Sequence, residues 1–335
     1  MILHYLDTRN VGGIETHVET IAAAQRDLDL DARILVHKNY VGSPSQARLA
    51  AGPAPVQVAG SFSGLLGLLR HERPAMLHTH GYKAGILGRI AARLAGVPVI
   101  STFHAGERGT GAMRLYQLAD EWSAWLGGRL AVSQAIADAL PFGAKVIRNF
   151  VTPAQEARPE PAGPMFLFAG RLSAEKGPDL FQALAASRAA AGRWVMVGDG
   201  PMRDGLERTG ATPVEMAGLA PSITPWLAQA SALVMTSRRE GLPMAALEAM
   251  AQGVPVIAPS TGGLGALIDH GRNGFLYPTG DMEAAAACID RLAAMPAGER
   301  NAMGEASLTT IRDHYSPAVV LPGIIAHYRK AGYRG

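Results

Sequence analysis

The chain has 335 residues, a length that suits two domains with separate cores. Apolar residues make up 48% and charged residues 18%, a balance that excludes a largely disordered or fibrous chain. The formal net charge is +3, the basic side chains are not interleaved with aromatics as in a nucleic-acid binder, and the single Cys288 excludes an internal disulfide framework and a cysteine-based zinc site.

Residues 1–7 carry no basic leader and read as a strand, so no signal peptide is expected. The charge-poor stretch 223–237 is broken by Pro, Gln and Ser and falls short of a membrane span. Together these features lead us to expect a cytoplasmic protein. Short apolar runs predict strands at Ile2–Leu6, Ala32–Val36, Met76–Thr79, Pro98–Phe103, Arg129–Val132 and Lys145–Ile147. The second half adds Met165–Ala169, Trp194–Val197, Val214–Ala217, Ala232–Thr236 and Val254–Ala258. Between the strands lie helical stretches such as Ile14–Ala24, Ala84–Ala95 with Gly96 as its stop, and Gln134–Leu140 with Ser133 as N-cap. Strand–helix alternation predicts an α/β chain of two doubly wound, Rossmann-like domains facing across a cleft. The proline-rich segment 152–164 reads as the linker between a domain at 1–152 and another at 165–315.

Charge is uneven along the chain. Residues 70–114 hold Arg70, Arg73, Lys83, Arg89, Arg93, Arg108 and Arg114 against Glu72 and Glu107. This stretch reads as solvated helix faces, or as a surface for phosphate, an acidic glycan or the inner face of a membrane.

Ligands of doubly wound sheets bind beyond the carboxyl ends of the strands, so chemistry is sought in the loops there. Gly12 and Gly13 follow the first strand and open a helix, which frees amides for an anion; the G-x-G-x-x-G dinucleotide pattern is absent. Gly170, Arg171 and Lys176 follow the strand Met165–Ala169, and two cations there suit a departing diphosphate. The competing reading is a surface ion pair with Glu175. Glu240 precedes a short helix that Pro243 opens and Gly253 closes, with Glu248 about a turn and a half inside it. The amides of Gly241, Leu242, Pro243 and Met244 lie between the carboxylates, at the positive end of the helix dipole, although Pro243 itself has no N–H. Carboxylate, amides, carboxylate is an order suited to sugar hydroxyls, diphosphate and ribose. His78 and His80 share one strand face, but no Asp or Cys joins them at ligand spacing, so no metal site is expected.

The spacing Glu240-x7-Glu248 in the context EGLPMAALEAMAQGVPVIA resembles the E-x7-E motif of retaining glycosyltransferases of the GT-B fold, family 4 type. GGIE at 12–15, LHTHG at 77–81, GVPVISTFHAG at 96–106, FAGRLSAEKG at 168–177, VGDGP at 197–201 and DHGRNGFLYP at 269–278 extend the resemblance along nearly the whole chain. It implies that Arg171 and Lys176 grip the donor diphosphate, Glu240 holds donor sugar hydroxyls, and Glu248 binds the ribose. It also implies that Gly12 and Gly13 lie over the donor phosphates, His104 sits beside the sugar ring, and residues 316–335 return to the first domain. The implied enzyme is a metal-independent hexosyltransferase with no cofactor, using a nucleotide diphosphate-sugar and a glycan or lipid-linked acceptor in surface polysaccharide or glycolipid synthesis. Phe150 and Ala266 depart from the pattern, replacing a glycine and a glutamate of many relatives. The alternatives weighed are a nucleotide-sugar epimerase of the same fold, a dehydrogenase, and a non-catalytic GT-B partner subunit.

Overall fold

The computed structural model describes the chain except for residues 10–11, 105–111, 157, 159–160, 162 and 210–211 and the side chains of residues 112 and 113. Expectations that rest on Asn10, Val11, Ala105, Gly106, Glu107, Arg108 and parts of the 152–164 and 205–213 segments therefore lie outside the described residues.

The chain divides into two compact units, residues 1–150 with 317–335, and residues 151–316. In the first, β1 (Ile2–Leu6), β2 (Ala32–Val36), β3 (Val56–Val58), β4 (Met76–His80), β5 (Val99–Phe103), β6 (Gly128–Ala131) and β7 (Lys145–Val146) form one sheet in the order β3-β2-β1-β4-β5-β6-β7. In the second, β8 (Met165–Ala169), β9 (Arg193–Val197), β10 (Val214–Gly218), β11 (Ala232–Val234), β12 (Val256–Pro259) and β13 (Gly274–Tyr277) take the order β10-β9-β8-β11-β12-β13. Every neighbouring pair is parallel. Parallel strands need crossover helices on both faces, which is why β1, β4 and β5 are buried along their whole length; the polar residues of β4 and β5 are hydrogen-bonded inside, His78 to Thr102, Thr79 to Ser101 and His80 to His104. The strand order reverses between β1 and β4 and again between β8 and β11, the places where open α/β sheets take ligands.

Alternation along each strand sorts side chains to two faces. In the first unit Ile2, Met76 and Ile100 pack with Ile21, Ile324 and Tyr328 from the helices Gly13–Arg26 and Pro317–Lys330. Leu3, Tyr5 and Leu77 pack on the opposite face with Leu65, Leu69, Ala84 and Ala91. In the second unit Leu167, Val195 and Leu233 meet Leu247 and Met250, while Phe166, Trp194 and Ile257 meet Phe181 and Ile289.

The short strands β3 and β13 were not anticipated; β3 is a three-residue edge strand, and β13 sits inside a run read only as a motif. The proline-rich segment is bound rather than free where it is described. Ala154 donates its N–H to Ala251 O at 2.8 Å and accepts from Arg312 Nη2 at 3.0 Å.

Candidate functional site

In the second unit the loops at the carboxyl ends of β8, β9, β11 and β12 are bonded into one frame. Gly170 N–H donates to Val197 O, Leu172 N–H to Asp199 O, and Arg238 N–H to Glu175 O. Thr236 Oγ1 donates to Gly177 O at 2.7 Å, and Gly263 N–H to Gly241 O at 2.6 Å. Glycine is required at two of these crossings. Gly177 has φ +64°, and a Cβ there would stand 2.2 Å from Thr236 O; Gly262 has φ +56°, and its Cβ would stand 2.1 Å from Glu240 O. The 262–263 turn thus seats directly on the Glu240–Gly241 backbone.

This frame brings Lys176 and Glu240 together. Lys176 Nζ donates to both carboxylate oxygens, at 2.9 and 2.7 Å, and Ser237 Oγ donates to Oε1 at 2.6 Å. The Glu240 side chain is 3% exposed and Lys176 remains 27% exposed. A carboxylate so nearly buried keeps its charge only when paired and hydrogen-bonded, which these contacts accomplish. The competing reading, a surface ion pair with Glu175, is not what forms: Lys176 pairs with Glu240, 64 residues away. Arg171 is exposed and has no ion-pair partner among the described residues. The helix after Glu240 runs Met244–Met250, so Pro243 is an extended residue at its N-cap and Glu248 lies just over one turn inside. Gly253, at φ +70°, closes it: Gly253 N–H bonds Met250 O and Val254 N–H bonds Ala249 O, the Schellman pattern. Ala266 is exposed on the turn of helix Leu264–Leu267.

The first unit places Gly12, Gly13 and His104 at the carboxyl ends of its strands, and it contains a group that sequence reading missed. Strand alternation sets His4, His78 and His80 on the face covered by the helices Gly13–Arg26 and Pro317–Lys330, and His17 and His104 complete a five-histidine cluster. Its hydrogen bonds run in one direction. With Gln25 Oε1 facing His4, His4 Nε2–H donates to it at 2.7 Å, leaving Nδ1 to accept from His80 Nε2 at 3.2 Å. His80 Nδ1 then faces His104 Nε2 at 3.1 Å. Gln25 Nε2 donates to Tyr328 Oη, Tyr328 donates to His78 Nδ1 at 2.6 Å, and His78 Nε2 donates to Thr102 Oγ1 at 2.7 Å. Burial pushes His4 down to about 4 and His17 to about 3, and holds His78, His80 and His104 well below the ordinary histidine value, so the cluster is neutral at pH 7. Only the spacing of His78 and His80 hinted at it; the other members are scattered over a hundred residues. Phe150 is fully buried beside His17, with ring centroids 6.0 Å apart, so it serves as packing for this cluster.

The basic stretch is less basic at the surface than its composition implies. Arg89 is fully buried, donating to Asp120 at 2.6 Å and to Ser101 at 2.8 Å, and Lys83 is paired with Asp7 at 2.8 Å. No helix among the described residues is long and apolar enough to cross a membrane.

Two Rossmann-like units, each a parallel sheet whose strand order reverses at a switch point, define the GT-B class of architecture. A structure of Anabaena Alr3699/HepE in complex with UDP-glucose superimposes with a TM-score of 0.80 over 98% of this chain and 99% of that one, at 20% identity. Residues 12–140 match the glycosyl transferase 4-like domain and residues 163–295 match the glycosyl transferases group 1 family, one in each unit. The UDP-Gal:alpha-D-GlcNAc-diphosphoundecaprenol alpha-1,3-galactosyltransferase of Escherichia coli is 28% identical over 67% of this chain and 67% of its own length. The D-inositol 3-phosphate glycosyltransferase of Thermobispora bispora is 27% identical over 87% of this chain and 85% of its own. The chain belongs to the glycosyltransferases, and its activity is glycosyl transfer.

Proposed function

We propose that the chain is a retaining, metal-independent transferase that moves a hexose from a nucleoside diphosphate-sugar to an acceptor hydroxyl. The observation that carries this reading is the Lys176–Glu240–Ser237 assembly at the β8/β11 switch point, with Arg171 exposed on the loop that follows β8. An ammonium has three donors, so Lys176 can keep Glu240 in place and still bond a phosphate oxygen. Arg171 supplies a planar guanidinium to the same leaving group, and the two stabilise the charge that grows as the glycosidic bond breaks. With two side-chain cations at the diphosphate, no metal is needed for that task. Glu240, fixed from two sides, accepts from donor sugar hydroxyls, and Glu248 takes the ribose. Gly12, Gly13 and His104 keep the roles that the family resemblance gives them. Gly170 and the backbone of Gly241, Leu242, Pro243 and Met244 complete the donor contacts. The resemblance supports same-face attack assisted by the departing phosphate oxygen.

The donor base is read as uridine, because the superimposed structure holds UDP-glucose. A lipid-linked acceptor is read from the diphosphoundecaprenol substrate in the name of the Escherichia coli relative. Peripheral membrane contact is supported by the helix Ala112–Ser123 and the residues after it, where Leu115, Tyr116, Trp122 and Trp125 are exposed beside Arg114. Aromatic and basic side chains together suit an anionic lipid interface.

A thermal-shift panel with UDP, GDP, ADP, CMP and NAD, each with and without EDTA, tests the donor site. A ligand at a hundred times its Kd adds about 2.7 kcal/mol to the native state. An EDTA-insensitive shift with UDP, lost in Arg171→Ala, is expected; a shift with NAD alone sinks the reading. NMR of the product anomer tests retention, and an inverted linkage overturns it. Co-sedimentation with anionic liposomes, weakened in Trp122→Ala, tests the membrane contact; no salt-sensitive binding removes it.

A further inference from the structure

The five histidines fall into two overlapping triads, and their hydrogen bonds separate them. In His4, His78 and His80 the ring nitrogens of His78 are both engaged, by Tyr328 and Thr102, and those of His4 by Gln25 and His80. That triad is a satisfied hydrogen-bond network. The triad of His17, His80 and His104 is different. One nitrogen from each ring lies within 4.8 Å of the others. His80 Nδ1 and His104 Nε2 face each other at 3.1 Å, close to the ~3.3 Å separation of two nitrogens on one tetrahedral zinc ion.

His17 completes it. Its ring is 1% exposed, and neither nitrogen makes a hydrogen bond of good geometry, although Asn149 lies beside it. A buried polar group left in that state has a cost that a ligand can remove. The ring centroid stands 4.8 Å from that of His104 and 5.7 Å from that of His80. A swing of about 1.5 Å brings its nitrogen to coordination distance.

We propose that His17, His80 and His104 form a binding site for a divalent late transition metal of the zinc class. Imidazole nitrogens suit Zn2+, Co2+ and Ni2+. The second shell is already built: His80 donates its other ring N–H to His4, and His4 donates to Gln25, the outer hydrogen bonds that orient a ligating histidine. In the metal-free protein His104 Nε2–H donates to His80 Nδ1; on metal binding that one proton moves to His104 Nδ1, a change of tautomer with no net proton release, and both facing nitrogens are free to ligate. Because burial keeps all three rings neutral, metal does not compete with ring protonation at pH 7. The site shares His104 with the proposed function, which sets that ring beside the donor sugar; the diphosphate and hydroxyl contacts of Arg171, Lys176 and Glu240 belong to the second unit and do not involve it.

The test uses untagged full-length protein titrated with Co2+ and followed by visible absorption, with Zn2+ as competitor. One Co2+ per chain is expected, giving the d–d bands of a low-symmetry nitrogen site that one equivalent of Zn2+ abolishes. His17→Ala and His104→Ala each weaken binding by at least about 100-fold, and Gln25→Leu by ~10–100-fold through the second shell. His104 is only partly buried, so His104→Ala decides the matter if His17→Ala does not fold. The exposed His71→Ala leaves binding unchanged. No bands at one equivalent, or bands that survive in His104→Ala, overturn the proposal and leave the donor-site reading untouched.

Discussion

At the β1/β4 switch point the first unit holds buried, neutral imidazoles on the strands themselves, joined by a directional hydrogen-bond chain that ends at His104. At the β8/β11 switch point the second unit holds a charged lysine–glutamate pair on the loops, fixed by backbone crossings at glycine. One topology thus places two kinds of chemistry. Strand-borne histidines are buried on both sides, so desolvation keeps them uncharged. Loop-borne Lys176 keeps about a quarter of its side-chain exposure and can hold charge for an anionic ligand. The second arrangement fits a site that must meet a diphosphate. The first fits a packed core that controls one ring at its edge.

The sharpest way to separate the units is acid. His4, His17, His78 and His80 are neutral when folded and protonate freely when unfolded, so below the ordinary value of 6.5 the unfolded chain binds more protons. Stability is full above that value. It falls as pH drops through the window that reaches about 4 for His4 and about 3 for His17. Each imidazole contributes about 1.4 kcal/mol per pH unit in that window, and four together amount to several kcal/mol by pH 5. Hydrogen exchange at pH 7 and pH 5 is expected to show the first unit losing protection ahead of the second. Equal protection loss in both units would mean that the cluster titrates ordinarily.

The next largest effect belongs to the second unit. Arg171→Ala and Glu240→Ala are expected to lower kcat by ~10²–10³. Arg171→Ala leaves Tm nearly unchanged, since Arg171 is exposed and has no ion-pair partner among the described residues, whereas Glu240→Ala also lowers Tm because it leaves Lys176 and Ser237 unpaired. Full activity in either variant removes the donor site from this unit. Gly262→Ala acts on the same site through the backbone. Its positive φ and the 2.1 Å approach to Glu240 O predict a stability loss of about 1–3 kcal/mol and a raised donor KM. A urea midpoint unchanged from wild type would show that the turn does not support Glu240.

Much of this architecture was legible in the sequence because parallel strands buried on both faces leave apolar runs of five residues, as in Ile2–Leu6 and Met165–Ala169. The loops of the candidate site were legible for a related reason: they follow those runs directly. Contacts made across the chain were not. Lys176 read as a cation for a diphosphate, with an ion pair to adjacent Glu175 as the competing reading, and neither announced that the loop crossing at Gly177 and Thr236 delivers it to Glu240. Arg89 counted as surface charge, because nothing local announces that Asp120 and Ser101 will enclose it. The histidine cluster was hidden in the same way, as β1, β4 and two helices converge only in the folded unit.

The smallest expected effect sharpens the comparison most finely. Ser237 donates to Glu240 Oε1 at 2.6 Å while Lys176 spans both carboxylate oxygens, so Ser237→Ala removes one of two restraints and leaves the charge paired. A hydrogen bond to a charged group contributes about 1.5–3 kcal/mol, and the surviving lysine contacts place the loss at the low end, near tenfold in kcat/KM. If Glu240 works by being held still, the loss is seen in kcat/KM with Tm unchanged, and Ser237→Thr, which keeps the hydroxyl, restores it. If instead Ser237→Ala is as damaging as Glu240→Ala, the hydroxyl itself touches the donor. The lysine–glutamate pair would then be the support and the serine the contact.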